Sequence, residues 1–272
     1  MMDKIYDREI MTPTEVQLAR YIREHVRDVV EMSLDDLADK LFISRSTILR
    51  FYKKLGVNGH KEFCLELAKE MNTVAGAQFV PSASVPFELY DDRKSIADKL
   101  ETLQIHALND TIQNLNLEEV NRAAKFIRER KKIFIYALEE NYLTAVDFQF
   151  KLQSIGYFAY GNLFPGMALA NSKNQPNDSI GIFISYYGND QVLHQAATLL
   201  NEKKIPIIFI GGPAESPLDK LATVRLKTAF YEQNPKIGSF GSRNAILYIL
   251  DLLYAYLFQL DYEKNMNQLK NK

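Results

Sequence analysis

Basic and hydroxyl side chains between residues 44 and 54 have the chemistry of a nucleic-acid contact. From Lys40 to Lys61 the chain carries six basic residues and no Asp or Glu, although the formal net charge of all 272 residues is -1. A local excess of positive charge on a nearly neutral chain is typical of a surface that contacts nucleic acid. The residues that we predict to contact DNA are Ser44, Arg45, Ser46, Thr47, Arg50, Lys53 and Lys54.

Two short helices joined by a tight turn would position these side chains. Ser33 followed by Asp36 forms a carboxylate variant of the capping box, and apolar residues then recur at helical spacing, which predicts a first helix over 34–41. Ser44 is a natural N-cap for a second helix, and Gly56 is placed to end it. The apolar stripe predicted to face inward comprises Ile48, Leu49, Tyr52 and Leu55.

A helix-turn-helix of this kind places its second helix in the major groove of DNA, with the first turn facing the base edges. The polar residues from 45 to 50 would then reach bases, whereas Lys53 and Lys54 suit phosphates. The alternative is a solvated basic face on an ordinary helical hairpin, since basic surface helices are common. Predicted helices on both sides, one capped at Thr12 and one over 60–71, complete a compact head and favour DNA binding.

The N-terminal segment resembles the head of the RpiR (ribose-phosphate isomerase regulator) family of bacterial transcription factors. The resemblance rests on the string FISRSTILRFYKKLG over 42–56, with Thr12-Pro-Thr-Glu15 before it and Gly59-His60-Lys61-Glu62-Phe63 after it. In that family the head is followed by a linker and a sugar-isomerase-type (SIS) domain that senses phosphosugars. The resemblance implies a sequence-specific regulator of carbohydrate-related genes. It would bind a double-stranded DNA operator as a homodimer or homotetramer, and a sugar or phosphosugar effector would modulate it.

Beyond residue 90 the sequence alternates between helical and strand patterns. Such alternation predicts a parallel sheet covered by helices on both faces, so the predicted fold is an all-α head followed by an SIS-like α/β domain. The predicted helices are 95–114, 117–130, 141–155, 190–201 and 239–260, and the predicted strands are KKIFIYAL over 131–138, then 157–160, 179–185 and 205–211.

The predicted domain limits are 1–75 for the head and 91–272 for the SIS-like domain. The segment 76–90 between them is a predicted linker, because residues 75–86 are small, uncharged and include prolines. The resemblance to SIS domains covers roughly 94–262. It includes Gly156, Asp178 and the run 216–222.

Ligands of parallel α/β sheets bind beyond the carboxyl ends of the strands. Two loops qualify here, 137–141 after the first predicted strand and 185–190 after the third. The predicted ligand-binding residues in these loops are Glu139, Asn141, Ser185, Tyr187, Gly188 and Asp190.

These loops depart from the SIS pattern that the resemblance implies. The family's first loop typically carries glycines and a serine, and its second typically reads Ser-x-Ser-Gly-x-Thr, whereas this chain has Tyr187 and Asp190 at the second serine and the threonine. Three hypotheses follow. The pocket binds a phosphosugar in a shifted pose, with backbone amides, Lys173 or Arg243. It binds another ligand, such as an amino sugar, on Glu139, Glu140 or Asp190. Or it serves dimerisation alone.

A sugar-phosphate isomerase is the alternative from another functional class. His194 and Glu232 are the candidate bases, but each also suits an ordinary packed or surface position, and the basic head has no role in an isomerase. We therefore predict no catalytic residue. The motifs require no cofactor, and four scattered histidines offer no metal-ligand spacing. The lone Cys64 suits core packing, and the lack of an apolar signal or membrane segment predicts a cytoplasmic protein that binds no membrane.

Overall fold

The computed structural model describes residues 11–73, 80–161 and 165–270. The chain divides into two compact units, residues 1–78 and 79–272. The helices of the first unit are α1 (Pro13–Glu24), α2 (Val26–Glu31), α3 (Leu34–Leu41), α4 (Arg45–Lys54) and α5 (His60–Thr73).

The helix ends of the first unit follow from local hydrogen bonding. Both predicted capping boxes are present, at Thr12 with Glu15 and at Ser33 with Asp36. The Ser44 side chain accepts a hydrogen bond from the backbone N–H of Thr47 and caps α4. The backbone beyond α4 turns at Gly56, whose φ of 87° favours glycine, so the predicted stop is confirmed.

The core of the first unit corrects the predicted inward stripe of α4. Ile48 and Tyr52 are fully buried as expected, but Phe51 is also fully buried, while Leu49 is only half-buried. The apolar face of α4 therefore includes Phe51, which packs with leucines of α1 and α3 and with Phe63 of α5. The opposite side of α4 stays free for polar residues.

The second unit confirms the predicted α/β fold. Five parallel strands form one sheet in the order β2-β1-β3-β4-β5. The strands are β1 (Lys132–Ala137), β2 (Phe158–Gly161), β3 (Ile180–Ile184), β4 (Ile207–Gly211) and β5 (Val224–Lys227). The helices are α6 (Arg93–Asn114), α7 (Leu117–Arg130), α8 (Glu140–Ser154), α9 (Pro165–Asn174), α10 (Gln191–Glu202), α11 (Phe240–Leu260) and α12 (Tyr262–Lys270).

Helices cover both faces of the sheet. Apolar residues of α7, α8 and α11 form one core cluster with the sheet, and those of α9 and α10 form another on Tyr136, Phe183 and Phe209. Among the described residues, no single helix is long and apolar enough to cross a membrane. By length and composition alone, the pair α11 and α12 could do so together, but it is bent by 100°.

Several segments differ from the predictions. Three elements, α9, β5 and α12, were not predicted. In β5, a four-residue edge strand, basic residues alternate with apolar ones, and α9 has only a weak apolar period. The predicted helix capped at Thr12 ends at Glu24, and the separate helix α2 follows it from Val26. Residues 80–84 of the predicted linker are packed within the second unit instead. Val80 and Ala83 contact the cluster around Leu103 and Phe230, and Ser84 Oγ donates to the Gln233 carbonyl at 2.7 Å.

Candidate functional site

The outer side of α4 presents the residues predicted to contact DNA. Ser44, Arg45, Ser46, Arg50, Lys53 and Lys54 are exposed, and Thr47 is half-buried. The hydroxyl of Ser44 lies 2.8 Å from both the Ser46 and the Thr47 hydroxyls. These three hydroxyls therefore form one hydrogen-bonded group at the start of the helix, and part of their capacity is used by the cap.

The arginines of α4 differ in how they are held. Arg50 is exposed, and its Nε donates to the Ser46 carbonyl one turn earlier at 3.4 Å. Arg45 forms an ion pair with Asp35 in the first turn of α3. The excess of positive charge counted along the sequence is thus partly compensated in space, because a carboxylate from the preceding helix reaches Arg45.

A second ion pair that compensates the positive charge of α4 joins Lys54 to Glu15, and it was not predicted. The Lys54 Nζ lies 2.7 Å from one oxygen of Glu15 and 2.8 Å from the other. The Glu15 side chain is only 6% exposed, whereas that of Lys54 is 43% exposed. Burial would raise the pKa of Glu15, but the hydrogen bonds from Lys54 and Thr12 outweigh it and hold the pKa below its ordinary value. Lys54 therefore joins α4 to the cap of α1.

A cavity of about 330 Å³ lies in the second unit, at the carboxyl ends of β1 and β3. These strands are neighbours in the sheet, so the loops that follow them face a common space. The residues that line the cavity are Leu138, Glu139, Glu140, Asn141, Ile184, Ser185, Tyr186, Tyr187, Asn189, Asp190, Leu193, Asn234, Lys236 and Ser239.

Five of the six predicted ligand-binding residues line this cavity, and Gly188 does not. Gly188 instead shapes the loop. Its φ is 61°, its N–H donates to the Ser185 hydroxyl at 3.2 Å, and a Cβ at this position would collide with Ser216. Only glycine fits there without a local shift, so its contribution to a site is to the backbone path rather than to contact.

The other loop residues hold helix N-termini. The Asp190 carboxylate accepts a hydrogen bond from the Leu193 N–H at 2.9 Å and caps α10. Glu139 precedes α8 with φ 52° and ψ -130°, a conformation that favours glycine. The resemblance to SIS domains implies glycines in this loop. The backbone of residue 139 therefore keeps a glycine conformation while its side chain adds a carboxylate.

Three lining residues that the sequence analysis missed come from the segment before α11. Lys236 Nζ lies 2.7 Å from Glu232 Oε2 and 2.5 Å from the hydroxyl of Ser239, which in turn donates to the Glu140 carboxylate. The third, Asn234, accepts a hydrogen bond from the Tyr187 hydroxyl at 3.0 Å. This segment lies about one hundred residues after β1, so no local pattern joins it to the two strand-end loops.

Glu232 is a buried partner of this group. Its Oε2 also accepts from the Ser242 hydroxyl at 2.6 Å, while its Oε1 is buried and has no hydrogen-bond partner within the described part of the chain. Glu232 therefore forms an ion pair with Lys236, whose side chain is 14% exposed. Three carboxylates, those of Glu139, Glu140 and Asp190, are the remaining charged groups in the lining, so the cavity is acidic.

Other residues proposed from the sequence do not line the cavity. Lys173 and Arg243, the suggested cations for a phosphate, are exposed and lie outside its lining. The candidate base His194 is half-buried and also lies outside the lining. Among the described residues, no group of three His, Cys, Asp or Glu side chains is arranged to hold a metal ion.

Comparison with known proteins matches each unit to a family. Residues 3–74 match the helix-turn-helix domain of the rpiR family, and residues 126–256 match the SIS domain. An uncharacterized HTH-type transcriptional regulator of Caldanaerobacter subterraneus is 26% identical over 260 residues, which cover 96% of this chain and 90% of that protein.

Solved structures share the fold at lower identity. The Vibrio vulnificus NanR protein, solved in complex with ManNAc-6P, has a TM-score of 0.62 at 20% identity, covering 99% of this chain and 95% of that one. A phosphoheptose isomerase from Francisella tularensis has a TM-score of 0.53 at 15% identity, covering 62% of this chain and 100% of its own. The order of the two matched domains and the similarity to a regulator along nearly the whole sequence place this chain in the RpiR family of transcriptional regulators, as an rpiR-type helix-turn-helix domain followed by a SIS domain.

Proposed function

We propose that this regulator recognises its operator through the outer side of α4 and responds to a carbohydrate effector in the SIS-domain cavity. The first turn of α4 carries the proposal for DNA. Its polar side is exposed while Ile48, Phe51 and Tyr52 anchor the opposite side in the head. A rigidly seated helix that presents guanidinium and hydroxyl groups has the chemistry and width for the major groove.

The residues of this surface divide by role. Arg50 and Ser46 are exposed on the side of α4 that faces away from the core, so we assign them to base edges. Lys53 lies farther along the helix and is assigned to a phosphate. Arg45 and Lys54 both hold carboxylates of the head, and contact with DNA would add to those ion pairs or compete with them.

The test for DNA recognition is a selection of genomic fragments with the purified full-length protein at near-physiological salt, where non-specific binding is weak. The control is a Ser46→Ala, Arg50→Ala, Lys53→Ala variant. Enrichment of a shared inverted repeat that the variant loses is the expected result, because two heads in a dimer would bind two half-sites. On a selected site, Arg50→Ala should lose more affinity than on random DNA, whereas an equal loss on both would assign Arg50 to a phosphate.

The first candidate effector is a phosphosugar, as in the NanR complex with ManNAc-6P. Its phosphate would lie at Lys236, between the hydroxyls of Ser185 and Ser239, all of which line the cavity. The second candidate is an amino sugar, which the excess of carboxylates favours. A phosphate about 4 Å from one such carboxylate would be opposed by about 4 kcal/mol at a surface-like dielectric.

A panel whose members differ by one charged group separates these candidates. The ligands are a hexose, its 6-phosphate, the corresponding 2-amino hexose and the amino-hexose 6-phosphate, each titrated by calorimetry. Lys236→Met should abolish the increase in affinity that a phosphate group gives. Asp190→Asn keeps an N-cap but removes a charge, and should abolish the gain from an amino group. If none of the four binds the wild-type protein, the effector proposal fails and the SIS domain serves assembly alone.

We further propose that the protein is not an enzyme, that it assembles as a dimer or tetramer through its SIS domain, and that it acts in the cytoplasm, where bacterial DNA lies. Support against isomerase chemistry comes from the candidate bases. His194 lies outside the cavity lining, and Glu232 is already bonded to Lys236 and Ser242. Incubation of the protein with the two sugar phosphates and analysis for aldose–ketose conversion tests this, and turnover at the cavity would reject it.

A further inference from the structure

Phe42, in the turn between α3 and α4, is the most exposed large apolar side chain that the structure describes, at 95%. Its neighbours in the turn behave differently. Leu41 is buried in the head, and Ile43 packs partly against the same cluster. The turn therefore uses the residues on either side of Phe42 for the fold, and the Phe42 ring contributes no packing to the head.

The backbone of Phe42 would suit glycine better than phenylalanine. Its φ of 54° and ψ of 40° lie in the left-handed region, and its N–H donates to the carbonyls of Ala38 and Asp39. The Ile43 N–H also donates to the Ala38 carbonyl at 3.0 Å, which completes the helix-ending motif that glycine usually occupies. A bulky residue in this conformation is strained, so neither the backbone nor the packing explains a phenylalanine here.

The position of Phe42 indicates what its ring contacts. In a helix-turn-helix the first helix crosses the DNA backbone while the start of the second enters the major groove, so the turn that joins them lies at the edge of that groove. Phe42 stands two residues before Ser44, the cap of α4, and exposed Lys40 and Arg45 flank it. These cations would hold the phosphates on either side of an apolar contact.

We propose that Phe42 is a DNA-contacting residue whose ring packs on apolar DNA surface at the edge of the groove, either a thymine methyl group or a deoxyribose. This inference rests on the proposed operator binding by α4. It differs from that proposal because it assigns part of the affinity to an apolar contact from the turn. Such a contact can add sequence preference if the partner is the methyl group, since only thymine presents one in the major groove.

The test uses full-length Phe42→Gly on a duplex from the operator selection, followed by fluorescence anisotropy. We expect the head to remain folded, with unchanged or higher stability, and the Kd to weaken by about tenfold, as for partial burial of one aromatic ring. The Kd of Phe42→Leu should lie between those of the wild type and Phe42→Gly. Leu65→Ala is the matched control, because Leu65 is also exposed, at 55%, but lies on α5 outside the helix pair; its Kd should not change.

Replacement of single thymines by uracil identifies the partner. If a replacement weakens the Kd of the wild-type protein but not that of Phe42→Gly, the ring lies on that methyl group. If no replacement has this effect, the ring lies on deoxyribose. A Kd of Phe42→Gly within about twofold of wild type would overturn the inference. So would a change in oligomeric mass, because the ring would then cover protein. If the wild-type protein selects no DNA at all, the operator proposal fails first.

Discussion

Replacement of Lys54 by Met separates a structural from a DNA-binding role at the end of α4. Lys54 holds both oxygens of the nearly buried Glu15, whereas its exposed neighbour Lys53 has no ion pair to an acid within the described residues. Removal of a hydrogen bond to a charged group costs about 1.5–3 kcal/mol. Because water can reach the lysine side of this pair, we expect about 1.5 kcal/mol, near the low end.

That loss should appear in the head alone. Hydrogen exchange of full-length Lys54→Met, followed by mass spectrometry of its peptides, should show roughly tenfold faster exchange in buried parts of α1 and α4. Lys53→Met is the matched control and should leave exchange unchanged. In a Glu15→Gln background the effect of Lys54→Met should shrink, because the buried charge that needs a partner is gone.

The DNA readout should show the opposite pattern. Each phosphate contact adds about 0.9 to the slope of log affinity against log salt concentration. Lys53→Met should therefore lower the slope by about 0.9 for each bound head, and Lys54→Met should leave it unchanged. If Lys54→Met lowers the slope while exchange stays the same, the ion pair is not structural and the assignment is refuted.

Three further predictions concern other residues. The stability that Glu15 contributes should be complete above its ordinary pKa of 4.5 and should disappear as the pH falls through its lowered pKa in the folded protein. The effect of Lys54→Met on hydrogen exchange in the head should therefore be smaller at acid pH than at pH 7. Burial would raise the pKa of Asp219, but its hydrogen bonds with Lys227 and Ser216 outweigh burial and hold the pKa below its ordinary value. Asp219→Asn should therefore destabilise the SIS domain at neutral pH and progressively less in acid, which urea titrations at several pH values would measure. Gly188→Ala should destabilise the same domain by about 1 kcal/mol or more in thermal unfolding, because alanine is strained at φ 61° and would displace Ser216; an unchanged Tm would contradict the proposed loop geometry.

Local patterns in the sequence were sufficient for much of the fold. The capping residues Thr12, Ser33 and Ser44 lie within three residues of the groups they bind, so the helix starts could be predicted. The β-strands that were predicted are short apolar runs, and their alternation with helices fixed the parallel sheet. The missed β5 is an edge strand whose residues alternate in burial, so it lacked such a run.

The site was harder to predict because its contacts are distant in sequence. Glu15 and Lys54 are separated by 39 residues, and Ser239 lies 99 residues from the Glu140 that it bonds. A count of charges along the chain finds no acid near Lys54, yet folding brings one there. In the same way, Lys236 enters a cavity that was predicted from strand ends alone.

Ser239 gives the cavity a mechanical connection to the rest of the SIS domain. It immediately precedes α11, a helix of 21 residues and therefore about 32 Å long, which packs against α6, α7 and α8. The far end of α11 is fixed where Asp261 binds Arg128 of α7 through two hydrogen bonds, at 2.9 and 2.6 Å. A ligand that draws Lys236 or Glu140 away from Ser239 would therefore act on the N-terminal end of α11, a stiff helix whose C-terminal end is bonded to α7.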